Sequence, residues 1–137
     1  MSAPDAATMR EAIEKHVELW NAGDKDAWLA AWRSAAKDIT MDDPVGTPTK
    51  HGWDVMAKAF DMSAADWKLA IGTMYVCGNA VAAVVRNERS VDGNPTTVES
   101  IEVYKFDDDG SVHGEVYYDL ADSSPEWAEW TAEAGKN

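Results

Sequence analysis

The stretch Leu19-Trp20-Asn21-Ala22-Gly23-Asp24 predicts a tight turn between two helices. Glycine often follows the last residue of a helix, and an aspartate side chain can cap the first turn of the next one. Before the turn, residues suited to one side of a helix recur at steps of three and four: Met9, Ala12, Ile13, His16, Val17 and Trp20. After it, a second helix carries Trp28, Ala31 and Trp32 on one side. The chain therefore starts with a predicted helical hairpin.

Downstream of the hairpin, the periodicity changes from that of helices to that of strands. A short strand over residues 39–41 ends at Asp43-Pro44, and apolar residues within 53–60 mark a third helix. Further strands are predicted over 67–71, 81–89, 96–106 and 112–120, and Trp127 and Trp130 would dock the tail as one last helical turn. Helices followed by antiparallel strands predict a single α+β domain, residues 1–137. Its three N-terminal helices would pack on a curved, mostly antiparallel sheet and enclose a pocket.

The composition disfavours several classes of partner. With 12 Lys and Arg against 25 Asp and Glu, the formal charge is −13, and no basic cluster could follow a phosphate backbone. Binding to nucleic acid or to an anionic membrane is therefore not expected. Cys77 is the only cysteine, and the sequence shows neither a signal peptide nor an apolar stretch of membrane-spanning length, so we expect a cytoplasmic protein. Seven tryptophans favour a hydrophobic small-molecule site, since large aromatic side chains line apolar pockets.

Three ionisable residues are candidates for chemistry. His16, in the apolar stripe of the first helix, is either a buried histidine satisfied by one hydrogen bond or a proton donor at the pocket wall. Asp43, between Asp42 and Pro44, is either a turn residue or a carboxylate at the rim of an apolar cavity. Desolvation there would raise its pKa and make it a usable base. Glu102 is either solvated on a half-exposed strand or buried, and a buried carboxylate would be paired or protonated.

Other polar residues leave alternatives open. Arg86 and Glu88 share one face of a strand and could form an ion pair. On the last strand, simple alternation places one set of side chains in the core: Val112, Gly114, Val116, Tyr118 and Leu120. The histidines lack the tight spacing of metal ligands, and no phosphate-binding or dinucleotide-binding fingerprint occurs, so we expect no metal and no cofactor.

Three segments carry a resemblance to a known family: residues 19–24, then Met41-Asp42-Asp43-Pro44-Val45-Gly46-Thr47, then Ile101-Glu102-Val103-Tyr104-Lys105-Phe106. In kind, order and spacing they resemble the bacterial ketosteroid isomerases, which belong to the NTF2-like and SnoaL-like superfamily. The resemblance spans roughly residues 7–119 and implies the cone-shaped NTF2-like (cystatin-like) fold. The Asn-Ala-Gly-Asp turn is common across the superfamily, whereas the Asp-Pro-Val-Gly stretch is more specific to the isomerase branch.

The same resemblance implies an active site. In that family the aspartate directly before the proline is the base, which corresponds to Asp43 here. The two donors of the family's oxyanion hole correspond by position to His16 and Glu102, which differ in type but can still donate, Glu102 only when it is protonated. The alignment also turns Tyr117 and Asp119 toward the pocket together with Glu115, against simple alternation. The substrate-binding residues are then expected to be Trp20, Trp28, Met56, Phe60, Tyr117 and Asp119.

These observations predict a cofactor-free acid–base enzyme that acts on a hydrophobic carbonyl compound, either an isomerase or a SnoaL-like cyclase or dehydratase. An alternative is epoxide hydrolysis, because Arg86-Asn87-Glu88 faintly resembles the Arg-x-Asp pair of limonene-epoxide hydrolases, which share this fold. In that reading the second aspartate would fall near Val116 or Tyr117. A non-catalytic binding or dimerisation domain is the third reading, since such folds host many functions. An exposed sheet face would favour a homodimer.

Overall fold

A computed structural model describes residues 3–119, apart from the side chain of Val91. The helices are α1 (Ala6–Ala22), α2 (Lys25–Ala35) and α3 (Trp53–Ser63). The strands are β1 (Asp38–Asp42), β2 (Lys50–His51), β3 (Lys68–Cys77), β4 (Ala80–Val91), β5 (Asn94–Phe106) and β6 (Ser111–Tyr117). The predicted positions of Leu120, Trp127 and Trp130 lie outside the described residues.

The helical hairpin forms as its turn sequence predicts. Gly23 ends α1 with a φ of 71°, a left-handed conformation that glycine adopts without steric cost. The side chain of Asp24 then accepts a hydrogen bond from the backbone N–H of Ala27 and caps α2. At the start of α1, Asp5 caps the helix in the same way through Thr8. Both helix ends are therefore specified locally by the sequence.

The six strands form one sheet in the order β2-β1-β6-β5-β4-β3. All neighbouring strands are antiparallel except β1 and β6, which run parallel. The register of β3 against β4 shifts between Ile71 and Met74, and irregularities of this kind bend a strand and increase its twist. The predicted α+β fold, with three helices on a mostly antiparallel sheet, is confirmed.

The core lies between the helices and one face of the sheet. Its largest fully buried side chains include Trp28, Trp32, Tyr104 and Phe106. The side-chain amide of Asn21 joins α1 to β3, because it donates to the carbonyl of Leu69 and accepts from its N–H, both at 2.8 Å. The Asn-Ala-Gly-Asp turn thus also anchors the helical hairpin to the sheet edge.

The opposite face of the sheet is partly exposed and carries large apolar side chains. Tyr75, Ile101 and Tyr117 are 68%, 49% and 44% exposed. None of the helices within residues 3–119 is long and apolar enough to cross a membrane.

Candidate active site

A cavity of about 100 Å³ lies between the helices and the inner face of the sheet. Its wall is mostly apolar, and polar side chains reach it from α1, the β1–β2 region, strands β4 and β5 and the segment that follows β6. They are His16, Asp43, Lys50, Asn87, Ser100, Glu102, Tyr104 and Tyr118. The structure therefore brings the three ionisable residues singled out in the sequence, His16, Asp43 and Glu102, to one cavity.

Asp43 directly follows β1, and the residue is only partly exposed. Its Oδ1 atom is shielded from solvent, and no hydrogen-bond partner for this atom is found within residues 3–119. The pKa of Asp43 is raised to about 7, chiefly by burial and also by the charge of Glu102, while the ammonium of Lys50 opposes the shift. A carboxyl group with a pKa near neutrality can both accept and release a proton under physiological conditions.

Glu102 lies in the middle of β5 and is 6% exposed, so the half-exposed alternative is wrong. The hydroxyl of Tyr104 donates to its Oε1 at 2.6 Å, and the hydroxyl of Ser100 lies 3.4 Å from Oε2. Burial raises the pKa of Glu102, while these two hydrogen bonds lower it. Tyr104 stays a proton donor, because its own pKa is raised well above the ordinary value, chiefly by burial.

His16 is buried on α1 and has a defined tautomer. The indole N–H of Trp28, which can only donate, lies 2.9 Å from Nδ1 of His16, so this nitrogen accepts and the imidazole proton is on Nε2. Burial lowers the pKa of His16 to about 4, so the ring is neutral at pH 7. Its Nε2 lies 3.9 Å from Oε1 of Glu102. The one hydrogen bond expected for a buried histidine is present, and it points the ring's N–H toward the Glu102 carboxyl.

Lys50 is a cavity residue that sequence reasoning missed. It is 3% exposed, and its ammonium donates to the carbonyl of Asp43 at 2.9 Å and to the hydroxyl of Thr47 at 2.8 Å. Lys50 pairs with Met41 across β1 and β2, which places both on the inner face. A two-residue strand gives no periodic signal, so the burial of this lysine was not visible in the sequence.

The predicted substrate-binding residues divide into two groups. Trp20, Trp28 and Met56 line the cavity. Phe60 does not reach it, because its ring packs behind the wall against Trp20 and Trp28, with centroids 5.3 and 5.2 Å apart. Phe60 was predicted to bind substrate, but the structure places its side chain in the aromatic core.

Tyr117 and Asp119, which were also expected to face the pocket and bind substrate, do not face this cavity. Both residues are exposed and neither lines the cavity. The register of β6 against β5 runs without interruption from Phe106–Val112 to Ile101–Tyr117, so no bulge reverses the alternation. Simple alternation was correct, and Val116 and Tyr118 are the residues that face the cavity.

The faint resemblance to limonene-epoxide hydrolases does not extend to a matching site. Arg86 and Glu88 form an ion pair at 3.4 Å, and both side chains are more than half exposed. Only Asn87, which lies between them, lines the cavity. The ion-pair reading of the sequence is the one that the structure supports.

Comparisons with known proteins agree with this architecture. The family model described as a SnoaL-like domain matches residues 13–113. SalBIII, an epoxide hydrolase/cyclase-like enzyme in pyran ring formation in polyether salinomycin, is 21% identical, with 86% of this chain and 95% of that chain covered and a TM-score of 0.69. RV0760c from Mycobacterium tuberculosis is 18% identical, with 86% and 96% covered and a TM-score of 0.69. A computationally designed 17-OHP binder is 17% identical, with 83% and 92% covered and a TM-score of 0.67.

Proposed function

Since the chain belongs to the SnoaL-like domain family, we propose that it is a cofactor-independent acid–base enzyme that moves a proton on a hydrophobic carbonyl compound. One observation carries the proposal: the shielded Oδ1 atom of Asp43 shares an apolar cavity with the Nε2–H of His16 and the carboxyl of Glu102. A desolvated carboxylate without a hydrogen-bond donor is a stronger base than one in water.

In this mechanism Asp43 removes a proton from the carbon next to the carbonyl, and the negative charge develops on the carbonyl oxygen. The Nε2–H of His16 and the protonated carboxyl of Glu102 donate to this oxygen. Nε2 of His16 and Oε1 of Glu102 are 3.9 Å apart. At this separation both atoms can lie about 2.8 Å from the same substrate oxygen and donate to it together. Protonated Asp43 then returns the proton to another carbon, which completes an isomerisation, or the enolate goes on to cyclisation or dehydration.

The cavity also restricts which part of a substrate it can hold. Its volume of about 100 Å³ is of the order of an engineered apolar cavity, roughly 150 Å³, that binds one benzene molecule. One ring of a steroid- or polyketide-like compound therefore occupies the cavity, and the remainder lies toward its mouth. The reacting ring must be apolar apart from the carbonyl, because indole and aliphatic groups form most of the wall.

The exchange of α-protons for deuterium tests this proposal without knowledge of the product. Cyclic ketones and β,γ-unsaturated ketones are incubated with the protein in D₂O and followed by ¹H NMR. Asp43→Asn should slow exchange on the order of 10²–10⁴-fold. Asp108→Asn, in the exposed turn between β5 and β6, is the matched control and should exchange as the wild type does. Equal rates for Asp43→Asn and wild type would exclude Asp43 as the base.

Epoxide opening is the second candidate, and the hydrogen bonds around Glu102 favour it. Tyr104 and Ser100 both donate to Glu102 and stabilise its ionised form, whereas the Oδ1 atom of Asp43 has no such donor within residues 3–119. If the two carboxyl groups hold one proton, it then resides on Asp43, which protonates the epoxide oxygen while Glu102 takes a proton from the attacking water. SalBIII is the relative in fold that motivates this test. Incorporation of ¹⁸O from labelled water into a diol would distinguish hydrolysis from isomerisation, and ligand binding without any turnover would indicate a binding domain.

We also propose that the protein forms a homodimer through the outer face of the sheet. Ile101 lies on that face and is 49% exposed, next to the exposed Tyr117 on β6. Ile101→Glu should convert the dimer to a monomer in light scattering, because two such faces would then bring like charges together. A wild-type protein that elutes as a monomer at high concentration would contradict this proposal.

A further inference from the structure

A second cluster of ionisable side chains lies on the outer face of the sheet, on the side opposite the cavity. Asp42 of β1 pairs directly with Glu115 of the parallel strand β6, and Thr40 pairs with His113. Met41 and Val116, which alternate with these residues, face the cavity instead. The cluster is therefore separate from the candidate active site, although Asp42 is the chain neighbour of Asp43.

The potential ligand atoms of this cluster converge. One ligand atom from each of Asp42, His113 and Glu115 lies within 4.8 Å of the other two. Nε2 of His113 and Oδ2 of Asp42 are 3.2 Å apart. Two ligands bound to one Zn²⁺ ion at about 2.1 Å in tetrahedral geometry are about 3.4 Å apart, so this pair already has nearly the required spacing.

Each of the three side chains is also held by a neighbour outside the group. The hydroxyl of Thr40 lies 2.6 Å from Nδ1 of His113, which directs Nε2 toward the carboxyl groups. The hydroxyl of Thr49 donates to Oδ1 of Asp42 at 2.5 Å, which leaves Oδ2 for the group. The ammonium of Lys105 lies 3.8 Å from Glu115. Outer partners of this kind orient the ligands of protein metal sites.

We propose that Asp42, His113 and Glu115 bind one Zn²⁺ ion, with water in the fourth position. One imidazole and two carboxylates form a donor set that suits a borderline divalent ion, whereas Mg²⁺ and Ca²⁺ prefer oxygen donors alone. The formal charge of −13 favours accumulation of divalent cations near the chain. A bound ion joins the ends of β1 and β6 one residue before Asp43, and so braces the segment that carries the proposed base.

The test is a calorimetric titration of EDTA-treated full-length protein with Zn²⁺, which needs no substrate and does not depend on the proposed reaction. The expected result is one ion per chain, with binding weakened at least about tenfold in His113→Gln and about tenfold in Thr40→Val, which removes only the outer partner. Glu99→Gln is the control, because it removes an exposed carboxylate of β5 that lies outside the proposed site. Glu99 is four residues before Val103, which pairs with Glu115. This control should bind Zn²⁺ within about twofold of wild type.

A second measurement guards against variants that fail to fold. Wild-type protein loaded with Co²⁺ should show visible absorption bands of a four-coordinate ion, which Zn²⁺ removes at one equivalent. The proposal is overturned if the wild type binds no Zn²⁺ at millimolar concentration, if folded His113→Gln binds as tightly as wild type, or if Glu99→Gln loses as much affinity as His113→Gln. In each of these cases the cluster is only a hydrogen-bonded network on the sheet surface.

Discussion

The free energy of unfolding of Asp43→Asn, measured relative to that of wild type, should increase as the pH rises. The pKa of Asp43 is raised from 3.8 to about 7 in the folded protein, so between these values the folded state holds a proton that the unfolded state releases. Wild-type stability therefore decreases as the pH rises through this window and levels off above the folded pKa. Asparagine does not ionise, so the stability of the Asp43→Asn variant does not decrease for this reason.

The magnitude follows from the size of the pKa shift. A shift of about three units, at about 1.4 kcal/mol per unit, corresponds to a loss of about 4 kcal/mol when Asp43 is fully ionised. This is an upper limit, because the residue is partly exposed and water can lessen the cost of its charge. Between about pH 5.5 and pH 8.5, the stability of Asp43→Asn relative to wild type should rise by up to about 2 kcal/mol.

Urea unfolding of wild type, Asp43→Asn and Asp108→Asn at a series of pH values measures this difference. Asp108 is exposed, and its substitution should leave the pH dependence of wild-type stability unchanged. A flat difference between Asp43→Asn and wild type across the series would show that Asp43 titrates near its ordinary pKa. The reasoning from burial to basicity would then be wrong, whatever reaction the protein catalyses.

Three further predictions concern the groups around Asp43. Wherever Glu102 is ionised, its charge raises the pKa of Asp43, so Glu102→Gln should lower that pKa in the free protein, and the midpoint of a ¹³C NMR titration of the Asp43 carboxyl should move down. Lys50→Met should move the same midpoint up, since the ammonium of Lys50 holds the pKa down, and Lys50→Arg should leave it near the wild-type value. In ¹⁵N NMR, His16 should remain the neutral Nε2–H tautomer from about pH 5.5 upward, because burial lowers its pKa to about 4. Trp28→Phe removes the indole donor and should yield a mixture of tautomers; a single unchanged tautomer would show that another group orients the ring.

Much of the fold was predictable because its signals are local. The turn of residues 19–24 specifies two helix ends through Gly23 and Asp24, and a change of period from three or four to two marks where helices give way to strands. In each of these cases the information lies within a few residues of the chain.

The remaining features depend on contacts between distant segments. Lys50 lies inside the protein because β2, which carries it, pairs with β1 so that Lys50 is opposite Met41. Phe60 lies behind the cavity wall because two indole rings pack against it. The family alignment turned Tyr117 toward the pocket, against simple alternation, whereas the uninterrupted register of β6 on β5 keeps it on the outer face. The Asp42–His113–Glu115 cluster depends on the parallel register of β1 and β6, which spacing along the sequence does not reveal.

The indole rings of Trp20 and Trp28 form part of the cavity wall and are in edge contact, with centroids 5.4 Å apart. A compound that enters the cavity changes the surroundings of both rings, so the wavelength and the intensity of their fluorescence should change upon binding. The protein thus contains two intrinsic fluorophores in the wall of the candidate active site. Libraries of unlabelled compounds can be screened by emission alone, before any reaction has been identified.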